Sequence, residues 1–472
     1  MGISFNTTNW QLGSYLADRF SVMKKVESVE LAAYFEGSSI AIGIGYDLLQ
    51  HTNAEIDEDI GIVLSTSQKT LLDEARSPGV GSVRLGQIAD ELGLAITVTQ
   101  AEQAFLKVAP TYEARLNSIL GGVTIPESSE RIALFSMVYQ GRFQNYSDLA
   151  NAPRVKDNLL LALSGGNRAE AWYVVRYQSS FARNPAHANG FAKRAYYESE
   201  LFGLYDNPLS VTADEAKQAY RMFQLHRAAI LKYENTYSAQ IAAANAAYGL
   251  SIITLAAVDT LTQALTPAYE SLFADLQTKY PTGMAGLSDS DFSPLNVYLD
   301  PNRDPGQSVV LLDNPNHAAY LYSAVDPVTG AEVNNRDILI GEGGNDVLYG
   351  GKGDDLLIGG AGLDYYIWNT GDGNDRIIDE DRRGIIVIND GAHDLYASGA
   401  FEETAPGSNI WKKITPEGVL TLTHNSPWKI VTADGSEILL GDDFQDGDFG
   451  IHLVEETTPA TALHLQGDLA PL

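Results

Sequence analysis

Cysteine is absent from this 472-residue chain, so neither disulfide bonds nor thiolate metal sites can contribute to its fold. Basic residues are scarce: 31 Lys and Arg stand against 61 Asp and Glu, giving a net charge of −30. Such a charge repels phosphate and argues against nucleic acid as a partner. The first 20 residues lack a positively charged start followed by an apolar run, which predicts that there is no cleaved N-terminal signal.

Long apolar runs are also scarce. Residues 241–258 carry no charge, but they include Asn245, Ser251 and Thr254 among many alanines. A membrane-spanning helix needs about 20 predominantly apolar residues. We therefore interpret this segment as a buried helix between domains, with membrane contact as the alternative.

The period of the apolar residues changes along the chain and indicates a multidomain protein. Helical spacing comes first, then a Pro-, Asp- and Asn-rich stretch, then a strict nine-residue period, then short β-type runs. Residues 331–472 hold 26 acidic and 8 basic side chains, which favours divalent cations as partners there. The predicted regions are a mostly helical N-terminal domain, a helical linker, an irregular connector, a nine-residue repeat region and a β-rich cap: 1–208, 209–280, 281–335, 336–380 and 381–472.

The nine-residue repeat follows the template G-G-x-G-x-D-x-U-x, in which U is a bulky apolar residue. Residues 341–349 (GEGGNDVLY), 350–358 (GGKGDDLLI) and 359–367 (GGAGLDYYI) stand in register. A degenerate copy, EVNNRDILI, precedes them, and TGDGNDRII at 370–378 follows. Six residues of each copy predict a turn, and three predict a short strand whose middle residue points inward.

The turns have the composition of a calcium site. Glycine permits backbone conformations that a Cβ disfavours, so carbonyl groups can converge on an ion, and aspartate supplies the charge that a hard cation requires. Successive turns alternate sides of the roll, so each turn is predicted to share its ion with the second turn after it. The predicted ligands form two groups: Gly341, Gly343 and Asp346 with Gly360, Gly362 and Asp364; and Gly350, Lys352 and Asp355 with Gly371, Gly373 and Asp375.

This region resembles the RTX family of calcium-binding repeat proteins, over about 120 residues including the cap. The resemblance implies an all-β parallel β-roll that is loaded with Ca²⁺. It also implies secretion of the unfolded chain by a type I secretion apparatus, through an uncleaved C-terminal signal for which residues 455–472 are the candidate.

The N-terminal region contains a pair of carboxylates with a spacing suited to glycosidic cleavage. Glu27 lies on a predicted helix, and Glu36 falls in a turn before an IGIGY strand. Cleavage of a glycosidic bond needs one carboxylic acid for the leaving oxygen and one carboxylate to activate water or to stabilise positive charge. The pattern alone favours a solvated helix face over a catalytic pair.

The same stretch resembles the phage-type lysozyme (muramidase) family. Glu27, Tyr34, Glu36 and the strand at 42–46 match its hallmark, and residues 132–140 (IALFSMVYQ) and 190–202 (GFAKRAYYESELF) resemble two of its helices. The resemblance implies a lysozyme-like α+β fold for residues 1–208, with Glu27 and Glu36 as catalytic residues. It further implies that Tyr34, Ser38 and Gln140 bind substrate.

Departures from the lysozyme pattern leave alternatives open. Ala41 stands where the family carries a catalytic Thr, and Glu36 replaces the usual Asp. We expect a secreted, monomeric peptidoglycan hydrolase whose partners are bacterial peptidoglycan and the type I secretion apparatus. A non-catalytic glycan-binding or adhesion protein is one alternative, and a membrane-active toxin using residues 241–258 is another.

Overall fold

The computed structural model describes residues 3, 5, 14–145, 153–182, 184–301, 320–322 and 334–456. The chain forms two compact units. The first contains Met1–Leu209 and Ala228–Thr260, and the second contains Ser210–Arg227 and Leu261–Leu472.

The first unit is mostly helical and contains one small antiparallel sheet. Its elements are α1 (Tyr15–Val26), β1 (Glu30–Glu36), β2 (Ser39–Gly43), β3 (Tyr46–Asp47), α2 (Asn53–Ile60), α3 (Thr66–Ala75), α4 (Ser82–Leu92), α5 (Val98–Leu120), α6 (Ser129–Tyr139), α7 (Val155–Ser164), α8 (Arg168–Tyr173) with a π-helical turn (Val174–Gln178), α9 (Ala188–Phe202), the end of α10 (Ala213–Thr236), and α11 (Ser238–Tyr248). Strands β1, β2 and β3 pair in chain order.

Local sequence signals explain where several of these helices begin and end. Capping boxes at Thr52 and Thr97 start α2 and α5, because the threonine hydroxyl accepts a backbone N–H that the first turn leaves free. Gly61 and Gly121 end the same helices in the left-handed conformation. One apolar core joins β2 and β3 to helices α2–α5, and a second joins α1, α6, α9 and α11.

The predicted linker 209–280 is helical but is not a separate region. Residues 228–260 belong to the first unit, where Ile241, Ala244, Tyr248 and Ile252 are buried in the second core. Residues 241–258, the segment of the membrane-active alternative, comprise the end of α11, a non-helical stretch with buried side chains, and Val258, the first residue of the next helix. Within the described ranges, the helices are either too short or too polar to span a bilayer.

The second unit begins with helices and continues as a β-roll with a cap. Its elements are the start of α10, α12 (Val258–Lys279), β4 (Val297–Leu299), β5 (Tyr320–Tyr322), β6 (Ile338–Ile340), β7 (Val347–Tyr349), β8 (Leu356–Ile358), β9 (Tyr365–Asn369), β10 (Asp375–Ile378), β11 (Ile385–Asn389), β12 (Asp394–Tyr396), β13 (Gly399–Glu403), β14 (Ile410–Ile414), β15 (Val419–His424), β16 (Trp428–Val431), β17 (Glu437–Gly441) and β18 (Ile451–Val454).

Successive repeats alternate between two parallel sheets, as predicted. Strands β4, β6, β8 and β10 lie in one sheet, and β5, β7, β9 and β11 lie in the other. The middle residues of the repeat strands, Leu339, Leu348, Leu357 and Tyr366, are at most 1% exposed and form the core between the sheets. The nine-residue period therefore buries one bulky side chain per strand.

The boundaries of the roll differ from the prediction on both sides. Strand β4 comes from the predicted irregular connector 281–335, yet it pairs in parallel with β6 and begins the sheet. On the far side β17, from the cap, pairs in parallel with β10 and extends the same sheet. Most of the candidate secretion signal, residues 457–472, lies outside the described residues, as do 302–319 and 323–333 of the connector.

Candidate functional site

The turns of the β-roll stack in two columns, one on each side. Turn 341–346 lies beside turn 359–364, where the Asp346 N–H donates to Asp364 Oδ1 at 2.9 Å. In the other column the Asp355 N–H donates to Asp375 Oδ1 at 3.1 Å. The structure thus brings together the two turns of each predicted pair.

Burial leaves several aspartate oxygens of these turns without a partner. Asp355, Asp364 and Asp375 are at most 2% exposed, and the Oδ2 atom of each has no hydrogen-bond partner among the described residues. Burial raises the pKa of Asp355 to about 9 and that of Asp375 to about 8, and neighbouring carboxylates contribute. Buried carboxylates without donors are costly. A bound divalent cation would remove that cost, so the side chains fit calcium.

Glycine brings the backbones of stacked turns close together. Gly362 has a φ of 140°, and a Cβ there would collide with the carbonyl group of Gly344 in the neighbouring turn. Gly360 and Gly373 are packed against backbone carbonyls in the same way. Gly341 lies against the carboxylate of Asp346, as Gly350 lies against that of Asp355. Converging backbone oxygens are ligands that calcium prefers.

The remaining predicted ligands lie at the edges of the same stacks. Gly343 forms a parallel bridge with Ala361. The Lys352 carbonyl accepts the Asn335 N–H at 3.0 Å, so it faces the degenerate repeat. The Gly371 N–H donates to Asp434 Oδ2 of the cap at 3.1 Å.

The degenerate repeat supplies a residue that the sequence prediction omitted. Asp337 is fully buried, and its N–H donates to Asp355 Oδ1 at 2.8 Å. In the part of the chain that the structure describes, neither of its carboxylate oxygens has a hydrogen-bond partner. Burial raises its pKa to about 7. Residues 334–337 therefore pair with turn 350–355 and give a third candidate site. The sequence could have indicated Asp337 as a ligand, because it holds the aspartate position of the repeat template in EVNNRDILI.

Backbone oxygens are essential to this centre. Across the described ranges, no group of three or more His, Cys, Asp or Glu side chains is placed to hold a metal ion. Each pair of turns instead offers two aspartates and its carbonyl groups.

A separate cleft in the first unit has a volume of about 340 Å³. Glu27, Tyr34, Glu36 and Gln140 line it, together with Glu30 and Tyr139, which the sequence prediction did not name. Glu27 follows the last residue of α1, and Glu36 ends β1 immediately before a tight hairpin. Ser38 lies in that hairpin turn and is not among the lining residues.

Glu27 is held by two side-chain donors on one oxygen. Arg194 Nη1 donates to Oε1 at 2.7 Å, and Gln140 Nε2 donates to the same atom. Arg194 also donates to the Val26 carbonyl, so it holds both the side chain and the helix end beneath it. Arg194 was missed as a functional residue, although it lies in the 190–202 motif.

Glu36 has a different environment. The Tyr34 hydroxyl approaches Glu36 Oε2 at 3.4 Å, and burial, followed by the Glu36 charge, raises the pKa of Tyr34 to about 12. Ser39 donates its hydroxyl to Asp47, and Ala41 is buried in the middle strand of the sheet. A Cβ at Gly45, whose φ is 66°, would collide with the Tyr139 hydroxyl, which explains the glycine there.

A buried ion pair lies next to these residues. Arg142 donates to Glu198, which lies one turn after Arg194 on α9, and both side chains are essentially inaccessible. Burial lowers the pKa of Arg142 despite its partner. The pair fixes α9, and with it Arg194, against the segment that follows α6.

Comparison with known protein families gives a match within the β-roll. Residues 334–366 match the model of the RTX calcium-binding nonapeptide repeat, in four copies. A search of curated proteins finds no match. Residues 334–366 are therefore RTX calcium-binding nonapeptide repeats, and calcium is the cofactor of this part of the chain.

Proposed function

We propose that this protein is an exported peptidoglycan hydrolase of the muramidase class, with a calcium-loaded β-roll. The observation that carries the proposal is the cleft in which Glu27 and Glu36, on separate elements, face one cavity with Tyr34 and Gln140. Opposed carboxylates of this kind are what glycoside hydrolysis requires.

The contacts of Glu27 hold one of its oxygens and leave the other for a substrate. Since Oε1 accepts hydrogen bonds from both Arg194 and Gln140, Oε2 is the oxygen that would meet the leaving group. The side chain is one-fifth exposed, so a substrate in the cleft can reach it. Glu36, on the more exposed hairpin, would act as the general base or stabilise the developing positive charge.

The repeats support export. Extracellular calcium modules commonly bind at about 10⁻⁴ to 10⁻³ M, which is far above the free calcium of a cytosol. A roll that folds only on binding calcium would remain unfolded inside the cell and would suit a type I secretion apparatus. RTX repeat proteins are typically secreted in this way, and this is the export route we propose.

The test is digestion of purified peptidoglycan by the full chain with calcium present, with reducing ends as the readout. Release of reducing ends that stops in Glu27→Gln supports the hydrolase. Binding to the walls without release would instead support the glycan-binding alternative, which the buried Ala41 favours because it offers no hydroxyl. Calcium-dependent dye leakage from liposomes would support the membrane-active alternative.

A further inference from the structure

One column of calcium turns continues beyond the last matching repeat. Strand β11 pairs in parallel with β9, with Ile385 opposite Tyr365. The Ile385 N–H donates to the Asp364 carbonyl at 2.7 Å, as the Tyr365 N–H donates to the Asp346 carbonyl at 2.7 Å one step earlier. Turn 379–384 therefore stacks on turn 359–364. The same backbone hydrogen bond links these two turns as links turn 359–364 to turn 341–346.

The third turn of this column lacks the calcium pattern. It reads DEDRRG, and Gly384 stands where the earlier turns carry aspartate. Asp364 nevertheless keeps a buried Oδ2 without a hydrogen-bond partner. This oxygen lies against Gly359, the first residue of its own turn, just as Asp355 Oδ2 lies against Gly350. The Asp364 carboxylate could thus form one side of a further ion site, but the third turn has no aspartate at position 384 to form the other side.

Tyr366 fills the space that such a site would need. Its side chain is 1% exposed, and a Cβ on Gly359 would meet both the Tyr366 hydroxyl and Asp364 Oδ2. The hydroxyl donates to Asp379 Oδ2 of the third turn at 2.9 Å. A Cβ on Gly384 would lie 2.5 Å from Tyr366 Cε2, so the ring also occupies the position of the missing aspartate.

The preceding repeats carry a different residue at the position of Tyr366. Leu348 and Leu357 hold the position that Tyr366 holds, and they carry no polar atom. Phe449 of the cap packs edge-on against the Tyr366 ring, with centroids 6.1 Å apart. The tyrosine thus joins the last calcium turn to the cap through a hydrogen bond and an aromatic contact.

We propose that Tyr366 ends the calcium array in this column by occupying, with its ring and hydroxyl, the place of the next ion. Calcium needs six to eight oxygen ligands, and a buried phenol ring excludes them. The hydroxyl supplies the donor that Asp379 needs inside the protein. The array is then confined to the three pairs of turns whose first aspartates are Asp337, Asp346 and Asp355.

The test is the calcium content of the full chain, measured by atomic emission after gel filtration in saturating calcium. Tyr366→Phe keeps the ring, so the number of ions per chain should equal that of the parent. Turn 379–384 also lacks the glycines of the repeat, so the double variant combines Tyr366→Leu with replacement of residues 379–384 by the sequence of 359–364. It should add one ion per chain, whereas the turn replacement alone, with Tyr366 kept, should add none. Tyr365→Phe, which removes the neighbouring half-buried phenol hydroxyl, is the matched control and should change nothing.

Two results would overturn the proposal. Loss of one ion in Tyr366→Phe would make the hydroxyl a calcium ligand, and a parental count in the folded double variant would show that Tyr366 does not limit the array. Far-ultraviolet circular dichroism in calcium checks folding. If the double variant does not fold, the result for Tyr366→Phe tests the proposal by itself. A parental ion count together with a lower melting temperature supports it.

Discussion

Arg194 donates to Glu27 Oε1 at 2.7 Å, although the two residues are 167 positions apart in the sequence. The contact joins α9 to the end of α1, and Gln140 at the end of α6 donates to the same oxygen. Three elements of the first unit therefore converge on one carboxylate. Each of the first two predictions changes one partner of this contact.

Glu27→Gln keeps the size of the side chain and removes the transferable proton. Cleavage of peptidoglycan should fall by about 10² to 10⁴, as is typical when a general acid is lost, and binding to cell walls should persist. Glu30→Gln is the matched control because Glu30 lines the same cavity, and its activity should stay within about tenfold of the parent. Equal activity of Glu27→Gln and the parent would exclude Glu27 as the acid.

Arg194→Gln removes the charged donor from Glu27 and from the Val26 carbonyl. Misplacement of a catalytic group can cost about 10²-fold, so kcat should fall by about that factor while KM changes little. The free energy of unfolding should drop by about 1 to 3 kcal/mol, the usual cost of losing a charged hydrogen bond. Arg194→Lys should recover part of kcat. A variant that loses stability while retaining kcat would contradict the positioning role.

Calcium removal should unfold the β-roll and leave the first unit folded. Without a cation, ionised carboxylates of 334–378 repel one another, and several of their buried oxygens have no donor among the described residues. Metal binding then supplies the folding free energy. Amide hydrogen exchange of the full chain should show this segment protected in calcium and unprotected in chelator. Peptides from α5 should be protected in both. Protection of the roll in chelator, or equal protection with magnesium, would rule out calcium-dependent folding of the roll.

Asp355 should matter more than Asp337 for calcium affinity. Asp355 accepts the Asp337 N–H on one side and donates its own N–H to Asp375 on the other, so it belongs to two pairs of turns. Asp355→Ala should raise the calcium midpoint by about tenfold, or about 1.4 kcal/mol, and Asp337→Ala should raise it less. Asp394→Ala, at an exposed position of β12, should leave it unchanged. The reverse order for Asp355 and Asp337 would argue against the shared position.

The calcium-free roll should become less stable as pH rises. Burial raises the pKa values of Asp337, Asp375 and Asp355 in the folded state to about 7, 8 and 9, against about 3.9 in an unfolded chain. The folded state therefore binds more protons, so stability is greatest below pH 4 and is lost as pH rises towards 9. Circular dichroism in chelator from pH 4 to 9 measures this. A β-signal that increases with pH would contradict the predicted loss of stability.

Much of the roll could be predicted because its signal is local. Aspartate and a bulky apolar residue (Leu348, Leu357, Tyr366) recur every nine residues between 341 and 367, and each copy forms a turn and a strand. The prediction missed Asp337 because its repeat carries Glu332, Val333 and Asn335 where the template has glycines. It missed β4 because a three-residue strand with no repeat around it has no periodic signal, and pairing with β6 decides its structure.

The sequence by itself determined the parallel two-sheet roll and its columns of aspartates. Those features depend on residues close together in the chain, where spacing and backbone preference suffice. Only the tertiary structure decided that Arg194 holds Glu27, that residues 228–260 belong to the first unit and that Tyr366 reaches Asp379. Each of these depends on a side chain meeting a distant segment inside a packed core, where burial selects one partner from many of the same type.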